Sequence, residues 1–386
     1  MRKIITCLIV LSLFVPSSSM FAQEAAEVNN LIESSKSAIL MEADTGEIMF
    51  KENESKKLPP ASMTKVMTML LIMEALNNGT ISLDEKVRIS EHAASMGGTQ
   101  IYLEPFEEMT VKDLLKGIAV ASANDASVAM AEKIAVTEEA FVEKMNQKAK
   151  DLGLKDTNFK NSTGLPEKDH YSTAHDMAVM AKALLEYEKI TDYTSIYEDY
   201  LRKGTEDEFW LVNTNKLVKF YQGVDGLKTG YTSEAKFCLT ATAKRNDMRV
   251  IAVVMGADTA KDRNRDISNL LDYAFGHYDL KRLYSKGDSV YEWEPLRSNQ
   301  KISATPKSNI SLLLKKGESI QDYKTEIIKG SINKWPVKKG DEVGKIRVLK
   351  GEQKVGEYPL VVAQEVKDAN IWTLWKRALR SIHQGK

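Results

Sequence analysis

The sequence predicts a mixed α/β domain in which a helical lobe is inserted into one sheet, followed by a small all-β domain and a terminal amphipathic helix. Three observations predict it. Strand-like runs stand near both ends of the first two-thirds of the chain, Ser37–Ala43 and Arg249–Met255, with helical spacing between them. Residues 281–367 then carry short β-prone runs separated by turns containing Lys and Gly. From Asp368 the pattern returns to helix, with Ile371, Leu374, Trp375, Ala378, Leu379 and Ile382 on one continuous stripe. The expected boundaries are 1–22 for a signal peptide, 35–278 for the α/β domain, 281–367 for the β-rich domain and 368–386 for the terminal helix.

The chain has 386 residues, enough for two domains with sizeable cores, and its 28% charged and 43% hydrophobic residues suit a globular protein. At the N-terminus Arg2-Lys3 precede a short apolar run, Ile4–Val15, which Pro16-Ser17-Ser18-Ser19 breaks ahead of Ala22. A dozen apolar residues are too few to span a bilayer comfortably, so the segment reads as an export signal cleaved after Ala22. Removing it takes away two cations and no acid, leaving a net charge of −2 on a chain that is otherwise neutral, so nothing favours nucleic acid. Of the two cysteines only Cys238 then remains, among apolar neighbours, as a small core residue and not a disulfide partner.

Taken in order, Asp44-Thr45-Gly46 joins a hairpin, and Pro59-Pro60 ends an extended segment before a Met- and Leu-rich helix that starts near Ser62. Residues 80–106 read as loop. Helices follow from Thr110 to Val120, through the Ala/Met-rich stretch ending at Ala135, from Glu138 to Leu152, and after Thr173-Ala-His-Asp176, which resembles a capping box. Beyond Glu206 come strands at Phe209–Val212, around Lys228, at Lys236–Ala243 and at Arg249–Met255, closed by a helix from Arg263 to Phe275. The terminal helix carries Trp372, Trp375, Lys376, Arg377 and Arg380 and reads as an anchor lying in a membrane surface; packing of its stripe on the β domain is the alternative.

Three segments carry chemistry. Ser62 and Lys65 stand three apart on one helix face, an activated hydroxyl beside an amine that must be neutral to take its proton. The S-x-x-K pattern occurs four times, at Ser62, Ser233, Ser298 and Ser331, and is weak alone. Ser122-Ala123-Asn124 follows Ser62 by 60 residues, and the single Lys228-Thr229-Gly230 follows Ser122 by 106. Only Ser62 begins a correctly ordered triplet. The five histidines, at 92, 170, 175, 277 and 383, show no zinc-binding spacing, and no glycine-rich phosphate loop occurs, so no metal and no cofactor is expected.

S-x-x-K with S-x-N and K-T-G is the motif set of β-lactamases and penicillin-binding proteins. The sequence resembles the low-molecular-mass penicillin-binding proteins that act as serine-type D-alanyl-D-alanine carboxypeptidases, on Pro60–Lys65, Ser122–Ala126 and Gly223–Thr232, with Asn161–Leu165 and Asn213-Thr214-Asn215 in support. Glu91–Gly98 is similar to the sporulation-associated branch in Gram-positive spore formers. The resemblance implies a penicillin-binding/β-lactamase-like fold and removal of the terminal D-Ala from peptidoglycan stem peptides ending in D-Ala-D-Ala, in cell-wall biogenesis and cell shape. It implies Ser62 as nucleophile, Lys65 as base and Ser122 as proton relay. Asn124 would bind the substrate amide or hold Lys65, Lys228 and Thr229 the substrate carboxylate, and the backbone N–H groups of Ser62 and Tyr231 would form the oxyanion hole. Gly230 would leave room for substrate along the strand edge. β-Lactam antibiotics are the expected covalent inhibitors, and the expected place is the outer face of the cytoplasmic membrane. Lys236 departs from the family, many members of which carry glycine there. A β-lactamase would need a deacylating glutamate in an E-x-x-L-N loop, and none occurs. A transpeptidase or D,D-endopeptidase differs only in the entering group, and an idle peptidoglycan-binding scaffold would have lost Ser62, Lys65 or Lys228.

Overall fold

A computed structural model describes residues 31–368, except 296, 299 and 333, together with Trp375. The expected signal peptide, and the terminal helix apart from Asp368 and Trp375, lie outside these residues.

Strands β1 (Ser37–Glu42) and β2 (Ile48–Glu52) pair antiparallel. Their turn is held by the buried Glu42 carboxylate, which accepts from Thr45 N at 2.6 Å and Thr45 Oγ1 at 2.8 Å, while Gly46 takes φ +77°. A 3₁₀ turn over Ala61–Thr64 then leads into α1 (Lys65–Asn77). Sequence spacing starts the helix at Ser62; the chain instead tightens there and becomes α-helical at Lys65. From Lys65 to Met73 α1 is buried on every side, as its unbroken apolar run requires.

Strands β3 (Lys86–Arg88) and β4 (Glu108–Thr110) pair antiparallel, β3 inside the 80–106 stretch that the sequence reads as loop and β4 just beyond it. Helix α2 (Val111–Lys116) continues into a π-turn over Gly117–Ala121, and α3 (Asn124–Ala135), α4 (Glu138–Asp151) and α5 (Ala174–Leu185) complete the lobe. Thr173 caps α5 by accepting from Asp176 N at 3.0 Å, as its sequence predicts. A hairpin, β5 (Glu198–Leu201) with β6 (Phe209–Val212), precedes β7 (Val224–Thr232), β8 (Lys236–Arg245), β9 (Met248–Ala257) and α6 (Ala260–His277).

The central sheet has the order β2-β1-β9-β8-β7. Its first strands thus pair with its last, Ile39 opposite Val253, and everything between is inserted, as predicted. Both faces are covered. Ile39, Met41, Ile251 and Val253 pack against the lobe; Ala38, Leu40, Val250 and Ala252 pack on the side of α6. This is why β9 reads as one continuous apolar run although the sheet is antiparallel. The important consequence is that β7 is left as a free edge beside the 3₁₀ turn.

The all-β module follows: β10 (Tyr278–Tyr284), β11 (Tyr291–Trp293), β12 (Ile302–Pro306), β13 (Ile310–Lys315), β14 (Tyr323–Lys329), β15 (Glu342–Lys350) and β16 (Gln353–Val362). β10 pairs with β13, and the others form a sheet in the order β11-β12-β16-β15-β14 over a core of its own. Asp44, from the β1–β2 turn, joins the two parts by accepting from Ser311 Oγ at 3.0 Å and pairing with Arg282 at 3.1 Å. The mixed α/β domain with its inserted lobe, followed by an all-β module, is the architecture the sequence predicts for these residues.

Candidate active site

Ser62 sits on the 3₁₀ turn, partly open to solvent, while Lys65 one turn on is 0% exposed. The Lys65 amine lies 3.3 Å from Ser62 Oγ, 2.6 Å from Asn124 Oδ1 and 2.7 Å from the carbonyl oxygen of Thr163. Among the described residues it has no ion pair. Burial first, and then the positive charge of Lys228, push its pKa well below the ordinary ammonium range. The acid whose charge acts on it, Asp125, is occupied: its carboxylate accepts from the backbone N–H of Ile101, Leu103 and Ala126. A neutral amine has two N–H donors and one lone pair. The two short bonds take the donors, which leaves the lone pair for the Ser62 hydroxyl proton.

The loop Asn161–Leu165 makes this possible by approaching closely. Gly164 has φ +85°, and a Cβ there would lie 1.9 Å from the Ala61 carbonyl oxygen. With no side chain in the way, Thr163 reaches Lys65, Ser162 O accepts from Thr68 Oγ1 at 2.6 Å, and buried His170 meets Thr64 Oγ1 at 2.9 Å. Burial and Lys160 lower the His170 pKa to about 4, so it is neutral at neutral pH. Sequence reasoning noticed this loop without assigning Thr163 a part; a backbone acceptor leaves no residue-type signal.

Ser122 ends the π-turn with a left-handed backbone, φ 67°, and is buried two residues before Asn124. A non-glycine residue held there costs about 1 kcal/mol. Asn124 is fixed at its other end, donating from Nδ2 to Gly97 O at 2.7 Å.

From the opposite side comes β7. Lys228 is 1% exposed, donates to Thr229 O at 3.1 Å and has no ion pair among the described residues. Burial, then the neighbouring charge of Arg263, lower its pKa to about 7. Arg263, on α6, is itself 5% exposed and lowered to about 10 by burial. Sequence reasoning missed this third cation, because an arginine in the first turn of a helix ordinarily points to water. Thr229 Oγ1 donates to Thr214 Oγ1 at 2.7 Å, which brings in the Asn213–Asn215 segment. At Gly230 the space expected for substrate is filled by protein: a Cβ there would meet Pro60 O at 2.7 Å and Met63 N at 3.2 Å. That glycine lets β7 lie against the turn bearing Ser62. Tyr231 is exposed, and its ring packs against that of Phe237 with the centroids 4.4 Å apart and the planes tilted by 35°. Lys236 takes φ 58° after the three-residue turn 233–235, a conformation that glycine adopts without cost, which accounts for glycine being the usual choice there. Among the described residues no group of three His, Cys, Asp or Glu side chains is placed to hold a metal ion.

Residues 22–259 match the family described as D-alanyl-D-alanine carboxypeptidase, and residues 278–368 match the C-terminal domain of penicillin-binding protein 5. The chain belongs to the D-alanyl-D-alanine carboxypeptidase family. It is 53% identical to the D-alanyl-D-alanine carboxypeptidase DacF of Bacillus subtilis, over 98% of either chain. Penicillin-binding protein 5 of Haemophilus influenzae superposes with a TM-score of 0.69 at 29% identity, covering 86% of this chain and 98% of that one. The cefotaxime-bound penicillin-binding protein D2 of Listeria monocytogenes is 31% identical, with a TM-score of 0.58, and covers 64% of this chain and 99% of its own.

Two outcomes follow for this family member. Gly164→Ala should lower stability by about 3 kcal/mol and slow acylation, since the loop must retreat from Ala61 and take Thr163 O with it. Urea denaturation and penicillin labelling read the two effects, and an unchanged labelling rate contradicts the account. The pH dependence has a definite sign. The fraction of neutral Lys65 rises with pH, whereas Lys228 loses its charge above about 7. The kcat/KM for a peptide with a free terminal carboxylate should therefore rise, peak near neutrality and fall above it. A profile still rising at pH 10 excludes a charged Lys228 from binding.

Proposed function

We infer that the protein is a serine D-alanyl-D-alanine carboxypeptidase whose nucleophile is Ser62. The observation that carries this reading is the 3.3 Å contact between Ser62 Oγ and a buried Lys65 amine with no acid to keep it protonated. The Ser62 hydroxyl attacks the carbonyl carbon of the penultimate D-Ala and its proton passes to Lys65. The backbone N–H groups of Ser62 and Tyr231 receive the oxyanion. As the peptide bond breaks, that proton passes from Lys65 through the Ser122 hydroxyl to the leaving amine of the terminal D-Ala, which leaves Lys65 neutral again. Water, deprotonated by Lys65, then attacks the ester carbonyl; the bond to Ser62 Oγ breaks, Lys65 returns the proton to that oxygen, and the stem peptide leaves one residue shorter.

Lys228 and Thr229, with the Arg263 charge behind Lys228, hold the terminal carboxylate, and the Lys228 charge also repels a proton from Lys65. Asn124 holds the Lys65 amine. No carboxylate is hydrogen-bonded to Ser62 or Lys65 among the described residues, which supports a long-lived penicillin adduct in preference to rapid hydrolysis of the drug.

In this reading residues 35–278 form the peptidase domain and 281–367 a β-rich domain that supports it. The first 22 residues direct export, and residues 368–386 lie in the outer surface of the cytoplasmic membrane, beside the cell wall. Among the described residues no helix is long and apolar enough to cross a membrane.

Ser62→Ala should abolish both release of D-Ala from a peptide ending in D-Ala-D-Ala and covalent labelling by a fluorescent penicillin; a variant that still labels has another nucleophile. Lys228→Ala should weaken acylation by carboxylate-bearing ligands by at least tenfold more than by their amidated analogues. Equal losses contradict its role at the carboxylate.

A further inference from the structure

A Lys65 lone pair aimed at Ser62 requires the two acceptors of its N–H groups, Asn124 Oδ1 and Thr163 O, to be held in place. A glutamate outside the three motifs holds one of them. Helix α4 opens with Thr137-Glu138-Glu139, and Thr137 Oγ1 caps it by accepting from Ala140 N at 3.2 Å. Acids in a first turn ordinarily face water beside the helix N-terminus, and Glu139 is exposed in this way. Glu138 instead turns inward, its side chain 13% exposed. Its Oε1 accepts from Ser162 N at 2.9 Å and from Ser162 Oγ at 2.7 Å.

Ser162 and Thr163 are both fully buried, so the two Ser162 donors would be costly to leave unpaired. Without the Glu138 acceptor the loop must shift to satisfy them, and Thr163 O shifts with it. Gly164 against Ala61 fixes one side of Thr163, and Glu138 fixes the other. The second carboxylate oxygen of Glu138, Oε2, lies 3.4 Å from His92 Nε2. The stretch that begins at His92 runs on to Gly97, whose carbonyl accepts from Asn124 Nδ2, and to Gly98, where a Cβ would lie 2.7 Å from that nitrogen. One segment thus stands behind both acceptors of the Lys65 amine.

We propose that Glu138 is a positioning residue for the Lys65 base, acting through Ser162 to hold Thr163 O against the amine. The inference rests on the reading of Lys65 as the base. The charges that act on Lys65 are those of Lys228 and Asp125, so Glu138 works by placement. An amide oxygen can accept the same two bonds, and glutamine should therefore serve where alanine does not. Lys228 and Thr229 stand on β7, across the cleft from this loop, so the chemical step suffers and binding of the substrate carboxylate does not.

The test measures D-Ala release by the full chain from an acetylated tripeptide ending in D-Ala-D-Ala. Rates are expressed per site labelled by a fluorescent penicillin, so that misfolded protein does not count. Glu138→Ala should lower kcat about tenfold and leave KM within about twofold of the parent, while Glu138→Gln keeps both within about twofold. Ser162→Ala deletes one of the two bonds and should lower kcat about threefold; added to Glu138→Ala it should cost nothing more. An unchanged kcat in Glu138→Ala, a glutamine variant as slow as the alanine one, or a loss confined to KM overturns the proposal. Where Glu138→Ala does not fold, Ser162→Ala decides, and a parental kcat there overturns it. A parent protein that releases no D-Ala, or a Lys65→Ala variant with parental kcat, counts instead against the reading of Lys65 as the base.

Discussion

A lysine side chain removed from water without an acid partner is the constraint on which this structure turns. An ammonium buried alone costs several kcal/mol, and the chain avoids that cost by letting Lys65 lose its proton. Three separate features keep it so: complete burial, the Lys228 ammonium facing it, and the engagement of Asp125 with backbone N–H groups. The acceptors that remain, Asn124 Oδ1 and Thr163 O, suit a neutral amine with two donors. Stability and chemistry share this arrangement. Because the unfolded chain binds protons that the folded site refuses, both lysines oppose folding as pH drops from their ordinary range, and stability rises with pH across that window.

The fold supplies these neighbours from distant places. The nucleophile turn, the Ser122–Asn124 corner, the Asn161–Leu165 loop and the edge strand β7 meet at one point because the helical lobe is inserted into the sheet rather than appended to it. Two glycines set the spacing. Gly164 admits the loop to the backbone of Ala61, and Gly230 admits β7 to the backbone of Pro60 and Met63. In both cases backbone packs on backbone, so a methyl group would separate elements whose polar atoms must lie within hydrogen-bonding range. The all-β module touches this domain at the β1–β2 turn through Asp44, away from the residues that bond Lys65.

Much of this was legible in the sequence, for local reasons. Ser62 and Lys65 are a turn apart, so their contact follows from spacing alone; the strands β6, β8 and β9 are apolar runs bounded by turn residues; Thr173 precedes its helix with an acid in the third position. What could not be read depends on tertiary contact. Thr163 acts through its carbonyl, which every residue possesses. Arg263 lies at a helix start and is drawn inward only by the packing of α6 on the sheet. At Gly230 the sequence suggests room for a ligand, whereas the protein's own turn lies where a side chain would point. The sequence pattern gives no strand at β3, β4, β5, β10, β12 or β14; β5, β10 and β14 are largely exposed and mix charged with apolar residues, so their alternation is weak.

The protonation state of Lys65 is the most direct point of attack. With lysine labelled at its ε-carbon and the Lys65→Arg variant used to assign the signal, NMR titration of the ligand-free protein reports that single amine. The account predicts a transition far below the ordinary value of about 10.4, complete before the surface lysines begin to titrate. A Lys65 signal that stays in the ammonium position until the surface lysines change would contradict it, and with it the assignment of Lys65 as the base for Ser62.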